Sequence, residues 1–290
     1  MKLRPNHCPE PLRRAVADNA RAAIAEDLGG GDPSAALLDS AATGEALIIS
    51  RDNAVLAGRF WVDEVFRQVN AAIRVAWRKQ DGERIAPGDT VCAVHGPLAA
   101  IVSGERSALN LLQTLSGTAT ATARHVARIA GAKSIVLDTR KTLPGLRLAQ
   151  KYAVVCGGGR NHRLDLAGGI LIKDNHIRAC GSITNAVQRA RAQDANSRIE
   201  VEAETADEVR EALQAGADII LLDNFAPADI RAMVKLINGR AETEVSGNIT
   251  LDSLPAVAAA GADYISIGAL TKHLHAVDFS LQLPPEQSRR

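Results

Sequence analysis

Apolar residues along this chain change their spacing near residue 105. From residue 11 to 28, Leu12, Val16, Ile24 and Leu28 recur on a broken helical stripe, and Gly29-Gly30-Gly31-Asp32-Pro33 ends it. Residues 44–102 alternate in short runs. Ala46–Ser50, Ile73–Trp77, Val91–Val94 and Ala99–Val102 are strand-like, with a helix over Phe60–Val69 and turns at Asp81-Gly82-Glu83 and Pro87-Gly88-Asp89. This half predicts an α+β platform. Residues 105–130 lack proline and carry helical periodicity, with a break expected at Ser116-Gly117.

Beyond residue 130 one unit repeats: a short apolar run, polar residues at its end, then an amphipathic helix. The runs are Ile135–Leu137, Ile170–Ile172, Ile199–Val201, Ile219–Leu222, Thr243–Val245 and Tyr264–Ile267. The helices include 206–215, 227–237 and 250–260, and Thr205-x-x-Glu208 is a capping box for the first of these. Ala215-Gly216-Ala217-Asp218 and Ala260-Gly261-Ala262-Asp263 each close a helix and open a strand, with glycine at the helix stop. Successive βα units predict a parallel sheet. Residues 115–270 are short against the roughly 250 of a complete (β/α)8 barrel, so a reduced barrel is expected, with an open doubly wound sheet as the competing architecture.

In such folds the working face lies at the C-terminal ends of the strands. Sorted by that rule, the strand ends carry Asp138-Thr139-Arg140-Lys141, Lys173-Asp174-Asn175-His176, the alternating Glu200, Glu202 and Glu204, Asp223-Asn224, Ser246-Gly247-Asn248 and Gly268-Ala269. The loop after the first strand adds Gly157-Gly158-Gly159-Arg160-Asn161-His162-Arg163. Arg140, Lys141, His162, Arg163 and Lys173 then converge on one mouth. Cations packed together need anionic partners, either a multiply charged ligand or nearby acids such as Asp138, Asp165 and Asp174. Glu202 and Asp223, on adjacent strands, suit a hydrated Mg²⁺ that also binds substrate phosphates. The glycine turns after the last two strands suit a phosphate held by backbone N–H groups.

The formal charge of +1 and an aromatic content of 3% exclude a polybasic or base-stacking nucleic-acid binder. Cys8, Cys92, Cys156 and Cys180 have no paired spacing, which predicts free thiols and a cytoplasmic protein. No apolar run reaches the length of a membrane span, and no signal-like segment opens the chain. Neither a catalytic triad nor an ATP-binding P-loop is present. A substrate with one phosphate at one end and a metal-bound polyphosphate or polycarboxylate at the other is expected. Its transfer would be driven by positioning and electrostatics.

Several motifs occur in order: Glu105-Arg106-Ser107-Ala108-Leu109-Asn110, Asp138-Thr139-Arg140-Lys141-Thr142-Leu143-Pro144-Gly145-Leu146-Arg147, Gly157-Gly158-Gly159-Arg160-Asn161-His162-Arg163 and Leu171-Ile172-Lys173-Asp174-Asn175-His176. Val201-Glu202, Leu222-Asp223-Asn224-Phe225, Glu244-Val245-Ser246-Gly247-Asn248-Ile249 and Ser266-Ile267-Gly268-Ala269 come after them. From Glu26 to His273 the chain resembles the quinolinate phosphoribosyltransferases. The resemblance implies an α/β fold, an N-terminal α/β sandwich (residues 1–114 with 271–290) plus an incomplete parallel α/β barrel (115–270). It implies quinolinate and phosphoribosyl pyrophosphate as substrates, nicotinate mononucleotide, pyrophosphate and CO₂ as products, Mg²⁺ as cofactor, and a homodimer or hexamer.

Position by position, Arg140, His162 and Arg163, with Thr139 and Lys173, resemble the residues that hold quinolinate. Arg106 resembles an arginine inserted from the partner subunit. Lys141 and Lys173 resemble lysines on the phosphoribosyl pyrophosphate. Glu202 and Asp223 resemble the acids that bind ribose hydroxyls and the metal. Ser246, Gly247, Asn248, Gly268 and Ala269 resemble the 5′-phosphate cradle. One departure is Gly168, where many relatives carry Asp. The competing functions are a paralogous phosphoribosyltransferase for another carboxylated base, a Schiff-base aldolase built on Lys173, and a non-catalytic phosphate-ligand sensor.

Overall fold

The structure is a computed structural model that describes residues 1–284. Two compact units form from non-contiguous segments. The first holds Met1–Ala123, Thr142–Gly158 and, of the described residues, 269–284; the second holds Arg124–Lys141 and Gly159–Gly268.

In the first unit, Thr43–Ser50, Arg74–Trp77, Thr90–Pro97 and Phe279–Gln282 make an antiparallel sheet. The C-terminal strand Phe279–Gln282 lies on its edge, pairing Ser50 with Phe279 and Leu47 with Gln282. Helix Glu10–Leu28 buries Leu12, Val16 and Ala20 at four-residue spacing. Helix Arg59–Val69 buries Trp61, Val62, Val65 and Phe66, and the two helices pack together. One periodic apolar face per helix supplies most of such helical stability.

Two sequence expectations fail here. Ala99–Val102 is not a strand: Leu98–Arg128 is one continuous helix. A four-residue apolar run fits either period, and its continuity with the helix behind it decides the outcome. Nor does that helix break at Ser116-Gly117. A Cβ at Gly117 would sit 2.3 Å from the carbonyl oxygen of His275. The glycine is there for close approach of the returning C-terminal chain. Ser116 Oγ bonds both the N–H and the carbonyl of Ala57, so it ties the helix to a neighbouring segment.

Residues 142–158 belong to this unit because of what helix Arg147–Cys156 buries. Tyr152 packs against Phe60 and Trp61, at ring-centroid distances of 5.8 and 5.6 Å. Gln150 donates to the Thr271 carbonyl at 2.9 Å. The Tyr152 hydroxyl donates to Asp81 Oδ2 at 2.7 Å, and Asp81 Oδ1 accepts from the N–H groups of Gly58 and Arg59. Burial pushes Asp81 from an ordinary 3.8 to about 6, against the lowering effect of those hydrogen bonds.

That rise corresponds to roughly 3 kcal/mol. Below about pH 4 the group is protonated in both folded and unfolded chains. Between about pH 4 and 6 the unfolded chain ionises freely while the fold holds its proton, so stability falls as pH rises and then levels off. Asp81→Asn keeps an oxygen acceptor without a titrating proton. Thermal unfolding from pH 4 to 8 should therefore decline less steeply between pH 4 and 6 in the variant than in the parent.

The second unit carries six parallel strands: β1 (Ile135–Leu137), β2 (Ile170–Ile172), β3 (Ile199–Ala203), β4 (Ile219–Asp223), β5 (Glu242–Ser246) and β6 (Tyr264–Ser266). Their order is β1-β6-β5-β4-β3-β2, so the first strand pairs with the last. That wrapping is a barrel left open between β1 and β2, and it removes the doubly wound alternative. Arg160 bridges Leu137 on the open side of β1. Helices Ala206–Ala215 and Pro227–Ile237 lie where the periodicity puts them, and the Thr205/Glu208 capping box is formed. Gly216 (φ 83°) and Gly261 (φ 94°) take the left-handed conformation at the αβ junctions.

Candidate active site

One cavity of about 500 Å³ lies at the C-terminal ends of the strands. Thr139, Arg140, Lys141, His162, Arg163, Lys173, Glu202, Asp223 and Ser246 all line it. Most of them end a buried apolar strand or come directly after one, which is why they face the mouth. The His162 loop is anchored by Asp138, which is fully buried. Asp138 Oδ1 accepts the His162 backbone N–H at 2.9 Å, and Oδ2 accepts from Asn161 Nδ2 at 2.6 Å. Asp138 is thus a scaffold for the loop.

The cations are held unequally. Lys173 is ion-paired with Glu202. Arg163 Nη1 donates to the Gly169 carbonyl at 2.9 Å, and burial followed by the nearby Arg140 makes its guanidinium easier to deprotonate than usual. Arg140 Nε is buried with no hydrogen-bond partner. Two guanidiniums lining one mouth, one with an unmet donor, call for an anion of more than one charge.

The acids divide by position. Asp223 Oδ2 accepts from Asn224 Nδ2 at 2.7 Å, at the end of β4. Glu202 and Asp223 share the cavity and are hard oxygen donors, which fits Mg²⁺. Glu200 and Glu244 lie deeper, 5% and 2% exposed. The sequence shows Glu200 only as one of three alternating acids and Glu244 only within a motif. An acid inside a buried parallel strand was the available signal, since such strands otherwise read as apolar runs. Glu204, the third of the alternating acids, is exposed beside the start of the next helix.

His162 Nε2 lies 3.0 Å from Glu200 Oε2 and 3.6 Å from Glu244 Oε2. Burial, then the neighbouring Glu200, pushes Glu244 up to about 7.

The turns after β4 and β5 interlock. Asn224 N–H donates to the Ser246 carbonyl at 3.0 Å, and Asn224 (φ 59°) and Asn248 (φ 48°) are both left-handed. Gly247 has φ 98°, and a Cβ there would lie 2.2 Å from Asn224 Oδ1. Gly268 lets Lys141 pass, since a Cβ would lie 3.1 Å from its Cδ. Ala269 opens a four-residue helix grouped with the first unit. Arg106 is also in the first unit, exposed on helix Leu98–Arg128 and 3.7 Å from Glu105. At Gly168 a Cβ would meet Arg163 Cβ at 3.3 Å and Asp165 Oδ1 at 3.6 Å. An acid therefore occupies that corner from position 165.

A parallel barrel with clustered cations, paired carboxylates and a glycine turn at its mouth is equipped as a phosphoribosyltransferase, an enzyme of the pentosyltransferase class. The family model for the quinolinate phosphoribosyl transferase N-terminal domain matches residues 34–116, and that for the C-terminal domain matches 118–282. The chain is 43% identical over 259 residues to a probable nicotinate-nucleotide pyrophosphorylase [carboxylating] of Bacillus subtilis, covering 89% of this chain and 90% of the relative. The corresponding human protein is 41% identical over 255 residues, covering 86% and 85%. The nicotinate-nucleotide pyrophosphorylase structure from Francisella tularensis superposes with a TM-score of 0.92 at 42% identity, covering 96% of this chain and 98% of that one. The chain belongs to the quinolinate phosphoribosyltransferase family. No helix among the described residues is long and apolar enough to cross a membrane.

Proposed function

We propose that this enzyme transfers phosphoribose from phosphoribosyl pyrophosphate to quinolinate with decarboxylation, giving nicotinate mononucleotide, pyrophosphate and CO₂ for NAD biosynthesis. The observation that carries this reading is the shared cavity, lined together by two guanidiniums, two lysines and two carboxylates. Arg140 and Arg163 supply the planar, fork-like donors that a vicinal dicarboxylate needs. Lys141 and Lys173 neutralise charge on the departing pyrophosphate. The turn at Ser246-Gly247-Asn248, with Gly268 and Ala269, offers backbone N–H groups to the 5′-phosphate.

Glu202 and Asp223 orient the ribose hydroxyls and stabilise positive charge developing at the anomeric carbon. The same two carboxylates would hold Mg²⁺, which supplies charge neutralisation at the pyrophosphate when bound. The quinolinate nitrogen attacks the anomeric carbon as the C–O bond to pyrophosphate breaks. When the 2-carboxylate leaves as CO₂, its electron pair stays on C2, stabilised by the adjacent positively charged ring nitrogen, and a proton from solvent takes the place of the carboxylate. Arg106 completes the carboxylate site of a neighbouring protomer in a homodimer or larger assembly. A cytoplasmic setting accords with four free cysteines. The aldolase reading is disfavoured because Lys173 donates to Glu202, whereas a Schiff-base lysine must present a free amine.

The test is release of pyrophosphate and CO₂ from purified protein given phosphoribosyl pyrophosphate, Mg²⁺ and either quinolinate or nicotinate. Equal release of both products with quinolinate alone is expected. Turnover of nicotinate but not quinolinate would overturn the reading.

A further inference from the structure

Beneath the mouth a second cavity of about 310 Å³ lies toward the strand N-terminal ends, bordered by Ile170, Ile219 and Tyr264, the first residues of β2, β4 and β6. His162, Arg163 and Glu244 border both cavities. The floor of the active site is therefore thin. A side chain with a cavity on each side is held less by packing than by its hydrogen bonds.

The bonds at His162 form a chain. The Arg163 backbone N–H donates to His162 Nδ1 at 2.8 Å. Nδ1 is then an acceptor, so in the neutral ring the proton sits on Nε2. That Nε2–H points at Glu200 Oε2, with Glu244 Oε2 next nearest. A ring nitrogen that carries a proton has no lone pair for a metal, so the three residues do not make a cation site in this arrangement. Both ring nitrogens have partners inside the protein, and the partner at Nδ1 is the backbone of the arginine itself. The Oε1 atoms of Glu200 and Glu244 are buried without partners, so neither acid is anchored by a competing bond at that oxygen.

We propose that Glu200, with Glu244 behind it, is a positioning residue that pins His162 as the neutral Nε2–H tautomer and thereby fixes Arg163 against the substrate dicarboxylate. This rests on the reading of the mouth as a quinolinate site. The other charged groups lining the two cavities are Arg140, Lys141, Lys173, Glu202 and Asp223 on the mouth side and Arg160 and Arg198 on the lower side. The bonds at the two ring nitrogens run instead to Glu200 and to the Arg163 backbone.

Two measurements test it. First, Glu200→Leu removes the acceptor and Glu200→Gln keeps one. The leucine enzyme should show KM for quinolinate raised by roughly 10- to 100-fold. Its KM for phosphoribosyl pyrophosphate should move by less than about threefold, and the glutamine enzyme should recover most of the loss. Equal rises for both substrates, or no recovery with glutamine, would reduce Glu200 to a structural residue. Second, ¹⁵N NMR of histidine-labelled parent enzyme at pH 7 should show the His162 ring, assigned with His162→Asn, protonated at Nε2 alone. An Nδ1–H tautomer or an imidazolium overturns the proposal. The NMR result needs no folded Glu200 variant and no turnover. If the parent enzyme ignores quinolinate, the functional reading fails while the pinning of His162 is still decided.

Discussion

Arg163→Lys is expected to lower kcat/KM for quinolinate by about 10²- to 10³-fold, while KM for phosphoribosyl pyrophosphate stays within about threefold of the parent. The reason is geometric. Arg163 is half-buried, donates through Nη1 to the Gly169 carbonyl and lies beside Arg140. A guanidinium can hold that carbonyl with one nitrogen and still present its remaining donors to a carboxylate. A lysine has one ammonium and must choose. Losing a charge-assisted, desolvated contact to a carboxylate costs roughly 3–4 kcal/mol in transition-state stabilisation. Steady-state kinetics with each substrate varied in turn provide the check. A loss spread evenly over both substrates would mean that Arg163 supports the barrel mouth as a whole and does not grip the dicarboxylate.

Gly247→Ala should raise KM for phosphoribosyl pyrophosphate by about 100-fold, with a smaller effect on the affinity for quinolinate. Gly247 sits at φ 98°, where a side chain is strained by about 1–2 kcal/mol before any contact is considered. The added methyl would also lie 2.2 Å from Asn224 Oδ1 and 2.8 Å from Asn224 backbone nitrogen. The side-chain oxygen can rotate away; the backbone nitrogen, held to the Ser246 carbonyl, cannot. The turn must move, and its N–H groups with it. A second variant, Asn224→Ala with Gly247→Ala, removes the side-chain clash but not the backbone one, so it should recover only part of the loss. An unchanged KM in a folded Gly247→Ala enzyme would place the 5′-phosphate elsewhere.

The sequence located helices and strand ends where local rules suffice. Helices 206–215 and 227–237 were legible because amphipathic periodicity, a capping box and stop residues all lie within a dozen residues of one another. The mouth residues were legible because a buried parallel strand is apolar until it ends, and the residues just past its end face the working side of the barrel. Arg140, Lys141, Lys173, Glu202 and Asp223 met that rule and do share one cavity.

What stayed hidden depends on residues far apart in the chain. Gly117 reads as a helix breaker until the carbonyl of His275 is placed against it. Residues 142–158 come after the first barrel strand, yet Tyr152 and Gln150 are satisfied by Asp81 and Thr271, and that pairing assigns them to the other unit. Glu200 and Glu244 have nothing in their neighbours to mark them. Their meaning comes from β3 and β5 bringing two carboxylates to one imidazole.

The sequence alone determined the family, the βα repeat and the identity of most groups at the mouth, because those arise from short-range spacing and ordered motifs. Only the tertiary structure decided which strand closes the barrel, which helix belongs to which unit and what holds His162. Burial and hydrogen-bond partnership are properties of neighbours in space, and no local pattern encodes them.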